Sequence, residues 1–338
     1  MRRLAITLAL LAAAGCGDIS NEALEDLSFV QALPRAADLH LAAPDAGAQV
    51  QALEGEATGT VRSGLRICSR PAQQEPFCDG HRMARSINAF TALVLGTLDA
   101  VRSLEPTERA DHRRVWGPFP EGPRTDRQRR ETRVVVERGE GDEGYEYRWV
   151  VEIRPAARTA EQRWIPLLGG SFVPASGGSA SRGAGYFTWD PTEARLASLE
   201  TTDDTRRLEI RYDLRRGVRH VEADADFERD DLPATIRFVQ EADRDGGAWR
   251  YEFPTDIDGQ GEADLVEVRA RWRADRAGRS DARITLRGSA FPGPFGNETC
   301  WDGRLERTYF SSDDVRQCEG GVCPEGDEAS CVFPPLFE

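Results

Sequence analysis

Apolar and polar residues alternate along most of the chain beyond Arg113, a pattern typical of strands that are buried on one face. In residues 145–153, for example, Tyr, Trp, Val and Ile alternate with Glu and Arg. The same alternation occurs in residues 208–214, 221–227, 249–253 and 266–272. Shorter apolar segments predict further strands at residues 115–119, 132–137, 163–168, 185–189, 236–239, 282–286 and 306–310. Turn sequences rich in Gly and Asp separate several of these segments, so the pattern predicts successive antiparallel strands.

A different period, of three to four residues, marks one convincing helix at residues 82–104. Its apolar stripe consists of Met83, Ile87, Phe90, Val94, Leu98 and Val101, and Pro106 ends the helix. Because a sheet with one apolar face needs a covering layer, this stripe is predicted to pack in the core rather than to bind a partner. A short helix is also predicted at residues 22–32, and the Gly- and Ser-rich residues 169–185 predict a long hairpin connection.

These elements predict a mainly β fold: an antiparallel meander closing into a barrel or half-barrel, with one N-terminal helix packed against it. The polar face of the predicted strands carries Arg, Glu and Asp. A barrel in a membrane would present apolar side chains to lipid, so this face is predicted to meet water. No fixed-period repeat occurs in the sequence, which argues against a propeller or a solenoid.

Composition argues against one class of partner. The chain has 44 basic and 58 acidic residues, which gives a formal net charge of -14. A chain this acidic binds nucleic acid and anionic lipid headgroups poorly, so no nucleic-acid partner is expected.

The first residues form a targeting sequence. Arg2 and Arg3 precede an apolar run at residues 4–14, which is shorter than the roughly 20 residues of a spanning helix but typical of the core of an export signal. The run ends in the sequence AAAGC at residues 12–16, which resembles the lipobox of bacterial lipoproteins, with Ala13 where that family more often has Leu. The alternative is an ordinary secretory signal in which Cys16 happens to follow the cleavage site.

The resemblance to lipoproteins implies a lipid anchor and a location. The signal peptide would be residues 1–15, and the thiol of Cys16 would carry the diacylglycerol that anchors the protein in a bacterial cell envelope. Gly17, rather than Asp, follows the cysteine, which favours the outer membrane. Residues 16–64 are predicted to form a lipidated acidic tether with the short helix. Residues 65–338 would form a single β domain that includes the long helix and a disulfide-bonded C-terminal tail.

Six cysteines remain once Cys16 is set aside for lipid: Cys68, Cys78, Cys300, Cys318, Cys323 and Cys331. An even number in an exported chain predicts three disulfides. Proximity in the sequence favours the pairs Cys68–Cys78, Cys318–Cys323 and Cys300–Cys331. The alternative pairs Cys300 with Cys318 and Cys323 with Cys331. A zinc site at the last four is disfavoured, because they form no C-x-x-C pairs and have no nearby His.

Residues 256–267 are the sharpest candidate for a metal site. Acidic residues at alternate positions of a loop can turn their oxygens toward one point, as Ca²⁺ requires. The predicted ligands are Asp256, Asp258, Gln260, Glu262 through its carbonyl, Asp264 and Glu267. The loop resembles the calcium loops of EF-hands and, because strands flank it, those of integrin-type β-propellers. Ca²⁺ is thus the candidate cofactor, and the alternative is a solvated acidic hairpin turn.

Enzyme motifs are missing from the sequence: its four His residues, His40, His81, His112 and His220, lie in no nucleophile or metal motif. The leading hypothesis is therefore a membrane-anchored, non-enzymatic lipoprotein with a β-rich binding or envelope-structural domain, whose partner is a protein, a glycan or a lipid. The alternative is a carrier that holds a lipid or small apolar ligand in a barrel cavity, and a core filled by the predicted helix would argue against it. A hydrolase is the third class, which needs His112 or His220 beside a buried carboxylate or hydroxyl.

Overall fold

The described part of the chain forms one antiparallel sheet of fifteen strands, in which each strand pairs with the next along the sequence. This computed structural model describes residues 20–42, 76–121, 130–141, 144–156, 163–175, 182–197, 199, 205–215, 218–227, 235–243, 245–256, 263–286, 295–313 and 322–337. The predicted mainly β meander is confirmed. Strands β1 and β15 lie at opposite edges of the sheet, so the sheet is open and fits the predicted half-barrel rather than a closed barrel.

The strands begin and end as follows: β1 Glu108–Ala110, β2 Arg113–Glu121, β3 Arg130–Gly141, β4 Gly144–Pro155, β5 Ile165–Pro174, β6 Gly183–Trp189, β7 Thr205–Asp213, β8 Arg219–Phe227, β9 Thr235–Asp243, β10 Gly246–Thr255, β11 Asp264–Arg273, β12 Gly278–Thr285, β13 Phe295–Trp301, β14 Arg307–Ser312 and β15 Glu325–Gly326. Each predicted strand corresponds to one of them. Three strands were not predicted, namely β1, β13 and β15, because none of them shows an alternation of apolar and polar residues.

Helices cover the apolar face of the sheet. They are α1 Asn21–Gln31, α2 Ala36–Leu39, α3 Pro76–Val101 and α4 Thr192–Leu196, with a short 3-10 helix at Glu328–Ser330. Helix α1 contacts β3 near one edge of the sheet, whereas α3 contacts β11 and β12 toward the other edge. The sheet therefore wraps around the helices, and one apolar core joins residues from the helices and from most of the strands.

The long helix α3 begins six residues earlier than the prediction of 82–104. Its first turns lie directly on the aromatic face of β10, where a Cβ added to Gly80 would be 2.3 Å from Cη2 of Trp249 and 2.4 Å from Cε1 of Tyr251. Glycine is therefore the residue that allows this close approach. The predicted apolar stripe of the helix is buried in the core, as expected.

Residues 20–42 pack on the β domain, which corrects the described part of the tether that was predicted at residues 16–64. Their apolar side chains are buried in the same core as the sheet: Phe29, Ala32, Leu33, Leu39 and Leu41. Arg102 at the end of α3 donates hydrogen bonds to the carbonyls of Leu33 and Pro34, at 2.6 and 3.0 Å. Residues 43–64 of the predicted tether lie outside the described ranges.

Both ends of the predicted long connection at residues 169–185 are strand, which corrects that prediction there, and residues 176–181 lie outside the described ranges. Strand β5 continues to Pro174, and β6 begins at Gly183. Neighbouring strands leave little room for side chains at these glycines: a Cβ on Gly170 would be 2.1 Å from the carbonyl oxygen of Tyr186, and one on Gly185 would be 2.8 Å from Oη of Tyr212. Glycine has no side chain that could show an alternation of apolar and polar residues, and the sequence pattern therefore indicated a loop.

Candidate functional site

The interior of the half-barrel is filled by the chain itself. Met83, Ile87, Leu95 and Leu98 of α3 are buried against the inner face of the sheet. On that face, the rings of Phe238, Trp249 and Tyr251 pack on one another with centroids 5.3 to 6.0 Å apart. The space that a carrier would use for its ligand therefore holds helix α3 and the N-terminal segment in this part of the structure.

Two amide side chains fasten the N-terminal segment inside the half-barrel. Asn88 on α3 accepts a hydrogen bond from the N–H of Leu41 at 2.7 Å and donates one to its carbonyl at 2.9 Å. The fully buried Gln240 on β9 does the same for Ala42, accepting from its N–H at 2.8 Å and donating to its carbonyl. The backbone N–H and carbonyl groups of Leu41 and Ala42 therefore have hydrogen-bond partners although they lie between helix and sheet, away from water.

Some interior polar groups have no protein partner among the described residues. They are the indole nitrogens of Trp149 and Trp189 and the hydroxyls of Thr91 and Tyr212, each at the inner face or on α3. Burial also raises the pKa of the Tyr212 phenol, so this hydroxyl stays protonated. Buried polar groups of this kind commonly bind water or a polar group of a ligand.

The predicted calcium ligands are only partly within the described residues. Asp256 directly follows β10 and Asp264 begins β11, the strand paired with it, whereas Asp258, Gln260 and Glu262 lie outside the described ranges. Asp264 is fully buried on the face that also carries Val266. Glu267 lies on the opposite face of β11 and accepts a 2.7 Å hydrogen bond from Arg269. No group of three or more metal-ligating side chains is found within the described ranges.

The described cysteines are all in disulfides. Cys300 and Cys331 are bonded to each other, which confirms that predicted pair and excludes the alternative pairing of the last four cysteines. Cys78 and Cys323 are disulfide-bonded to partners outside the described residues. The pairs Cys68–Cys78 and Cys318–Cys323 stay predictions, as does lipidation of Cys16, which also lies outside the described ranges.

The His residues that a hydrolase would need occupy ordinary surface positions. Nδ1 of His220 lies 3.3 Å from Oε1 of Glu241, and both side chains are substantially exposed. His112 lies in the turn between β1 and β2 and is exposed. Neither arrangement is the buried pair that acid–base chemistry requires.

A cluster of buried charges on the outer face of β12 and β13 was not predicted from the sequence. The guanidinium of Arg279 is almost fully buried, with Nε 2.7 Å from Oδ1 of Asp281 and Nη2 2.8 Å from Oε2 of Glu298. The second oxygen of Asp281 accepts a 2.6 Å hydrogen bond from the N–H of Leu336 in the C-terminal tail. Burial raises the pKa of Asp281, against the lowering effect of the Leu336 and Arg279 hydrogen bonds, and burial also raises the pKa of Glu298.

The C-terminal tail covers these charges because arginines on the outer face hold its aromatic rings. The ring centroid of Phe337 lies 4.3 Å from the guanidinium carbon of Arg269 and 4.5 Å from that of Arg283. Phe333 lies 5.0 Å from Arg271. The Cys300–Cys331 disulfide joins the tail to β13 beside Arg279, its register partner on β12. Leu336 is 55 positions from Asp281 in the sequence, so local sequence patterns give no sign of this contact.

A surface cleft of about 280 Å³ opens beside the end of the tail. Its lining includes Asp281, Glu298, Asp313, Arg283, Phe295 and Phe337. Carboxyls with raised pKa values at the edge of a cleft are the kind of group that binds ligands. Here, however, Arg279 pairs with both Asp281 and Glu298, and the tail also donates a hydrogen bond to Asp281. The cluster is therefore, first of all, the contact that fixes the tail.

Comparison with family models, with curated proteins and with solved structures finds no match to this chain. In the described ranges, no helix combines the length and the hydropathy that crossing a membrane requires. The arguments for function therefore rest on the residues of this chain alone.

Proposed function

We propose that this chain is an exported bacterial lipoprotein, anchored through Cys16 in the outer membrane, whose β domain serves a binding or structural role in the cell envelope. The observation that carries the proposal is that Cys78, Cys300, Cys323 and Cys331 are all disulfide-bonded. Disulfides persist in oxidising compartments such as the bacterial periplasm, so they support export. Cys16, in the lipobox-like sequence, is then the odd cysteine that is set apart for lipid.

Substitution of Cys16 tests the anchor. Cys16→Ser removes the thiol to which the diacylglycerol would be attached, so the protein is expected to leave the membrane fraction while its disulfides still form. Cys300→Ser is the matched control, because it removes a cysteine of the domain and leaves the anchor intact. A Cys16→Ser protein that stays in the membrane fraction to the same extent as the wild type would contradict the proposal.

A non-catalytic role is supported by the contents of the half-barrel. Helix α3 and the Leu41–Ala42 backbone occupy its interior through apolar packing and four hydrogen bonds from Asn88 and Gln240. The surface that remains for partners is the outer face, with its paired Arg and Glu side chains and the C-terminal tail. A protein or glycan partner would contact that surface.

A carrier is the second candidate function, and the unpartnered interior groups favour it. Trp149, Trp189, Tyr212 and Thr91 would supply hydrogen bonds to the polar end of a small apolar ligand. Native mass spectrometry of the detergent-extracted protein checks this. A carrier shows a defined mass in excess of the protein and its lipid, whereas a filled core shows none.

Binding of Ca²⁺ at residues 256–267 also stays a proposal. Because Glu267 is paired with Arg269 and faces away from Asp264, a bound ion would depend on the remaining predicted ligands, namely Asp256, Asp258, Gln260, the carbonyl of Glu262 and Asp264. Calorimetric titration with calcium is expected to give heat that the Asp256→Ala variant abolishes. The absence of heat for the wild type would contradict the proposed Ca²⁺ binding.

A further inference from the structure

Helix α1 begins very close to the proposed lipid anchor. Only residues 17–19 separate Cys16 from Ser20, the residue that caps α1 by accepting a hydrogen bond from the N–H of Ala23 at 3.1 Å. Consecutive Cα atoms are about 3.8 Å apart, so four steps reach at most about 15 Å. If acyl chains on Cys16 lie in the bilayer, the start of α1 lies within that distance of them.

Three half-exposed leucines lie on α1 and just beyond the end of α3. Leu24 and Leu27 are neighbours on one side of α1, and Leu104 follows the end of α3. Leu27 and Leu104 line the same surface cleft of about 430 Å³. The rest of its lining is mixed: Ala23, Val30 and Pro106 are apolar, Ser20 is polar, and Glu22, Asp26, Arg102, Glu105 and Arg109 are charged. We refer to Leu24, Leu27 and Leu104 as the leucine patch.

The acidic residues of α1 are paired with arginines of the sheet and so do not oppose contact with a neutral lipid surface. Asp26 lies 2.9 Å from Arg109 and 2.6 Å from Arg114, and Glu25 lies 3.1 Å from Arg114. Arg138 adds a second contact to Glu25 at 2.9 Å. These ion pairs also hold α1 firmly against β1, β2 and β3, which fixes the direction in which the leucine patch faces.

We infer that the leucine patch rests on the lipid bilayer in which Cys16 is anchored, so that the domain is held flat on the membrane surface instead of hanging from a long tether. This inference rests on the proposed lipidation. Three half-exposed leucines bury too little surface to bind a membrane alone, so the patch orients a domain that the acyl chains already hold. The short link leaves the domain little freedom to turn the patch away.

Photolabelling from the lipid tests this orientation. The processed full-length protein is purified from membranes and placed in vesicles of phosphatidylcholine and phosphatidylethanolamine, with a phosphatidylcholine that carries a diazirine near its glycerol. After irradiation, peptides with residues 20–31 and 102–107 are expected to carry at least five times the label of peptides with Leu93 and Leu196. Those two leucines are more exposed than the patch, so exposure alone would favour them.

Variants give the second arm of the test. The double change Leu24→Glu and Leu27→Glu is expected to lower labelling of residues 20–31 at least fivefold, whereas Leu196→Glu, on α4, leaves it unchanged. Even labelling of all exposed peptides on a protein whose Cys16 is acylated would overturn the inference and leave the anchor standing. An unmodified Cys16 would overturn the proposed function and the inference with it. An α1 that is unlabelled in pure vesicles but cross-links to a protein in whole membranes would mean that a protein covers the patch.

Discussion

Gln240 shows how a single buried amide decides where the N-terminal segment lies. Its side chain matches both polar groups of Ala42, so an extended piece of backbone can stay inside the half-barrel without unpaired groups. The sequence places this residue at an inward position of an alternating strand, where an apolar residue is expected. A polar residue at such a position indicates a buried partner, although the pattern does not say which one.

Replacing Gln240 by Leu is expected to destabilise the domain by about 1–3 kcal/mol, because both polar groups of Ala42 lose their partner away from water. The segment before residue 43 should also become more sensitive to limited proteolysis. Chemical denaturation and peptide mapping check both effects. Glu241→Gln, at the exposed neighbouring position, is the control, and equal stability of Gln240→Leu and the wild type would contradict the assigned role.

Asp281 makes stability depend on pH in a defined direction. Burial raises its pKa above the ordinary 3.8, so the folded protein holds this proton more tightly than the unfolded chain. Its contribution to stability is complete below pH 3.8 and is lost as the pH rises through the higher folded pKa.

The variant Asp281→Asn has no proton to lose at this position. Its unfolding free energy should therefore fall less than that of the wild type as the pH rises from about 4 to 7. Denaturant titrations at a series of pH values check this. Parallel pH profiles for the two proteins would contradict the prediction.

At the scale of elements, replacing two different glycines of α3 by Ala is expected to change stability in opposite directions. Gly96 is exposed, and a Cβ added there meets nothing within 4 Å, so Gly96→Ala should stabilise the protein by about 0.5–1 kcal/mol. Gly80 lies against Trp249 and Tyr251, so Gly80→Ala should destabilise it by about 1–3 kcal/mol. Thermal unfolding of both variants checks the contrast, and a gain in stability for Gly80→Ala would contradict the close packing of α3 on β10.

The periodic elements were predictable, and the elements that depend on distant contacts were not. The stripe of α3 and strands such as β4 and β11 carry one dominant period, so their type follows from the residues themselves. Strand β13 carries no such period, because Asn297, Glu298 and Thr299 place polar side chains on both faces of the strand. The C-terminal tail covers its outer face. For the same reason the Arg279 cluster was missed, although the predicted Cys300–Cys331 pair already places the tail near β13.

At the scale of the whole molecule, the structure changes what an anchor at Cys16 would do. The sequence alone suggests a domain on a long acidic tether. Because Phe29, Leu39 and Leu41 are buried in the core, an anchor at Cys16 would be joined to the packed domain by residues 17–19 alone, and we propose that the leucine patch then faces the membrane. The C-terminal tail, joined to β13 by the Cys300–Cys331 disulfide, covers part of the outer face toward the other edge of the sheet.

The most direct test of this account is the intact mass of the protein extracted from membranes, measured before and after reduction. The account predicts a chain that begins at Cys16, carries a diacylglycerol on that residue, and gains on reduction the mass that corresponds to three disulfides. A chain that retains residues 1–15, or one that begins elsewhere with an unmodified Cys16, would contradict it.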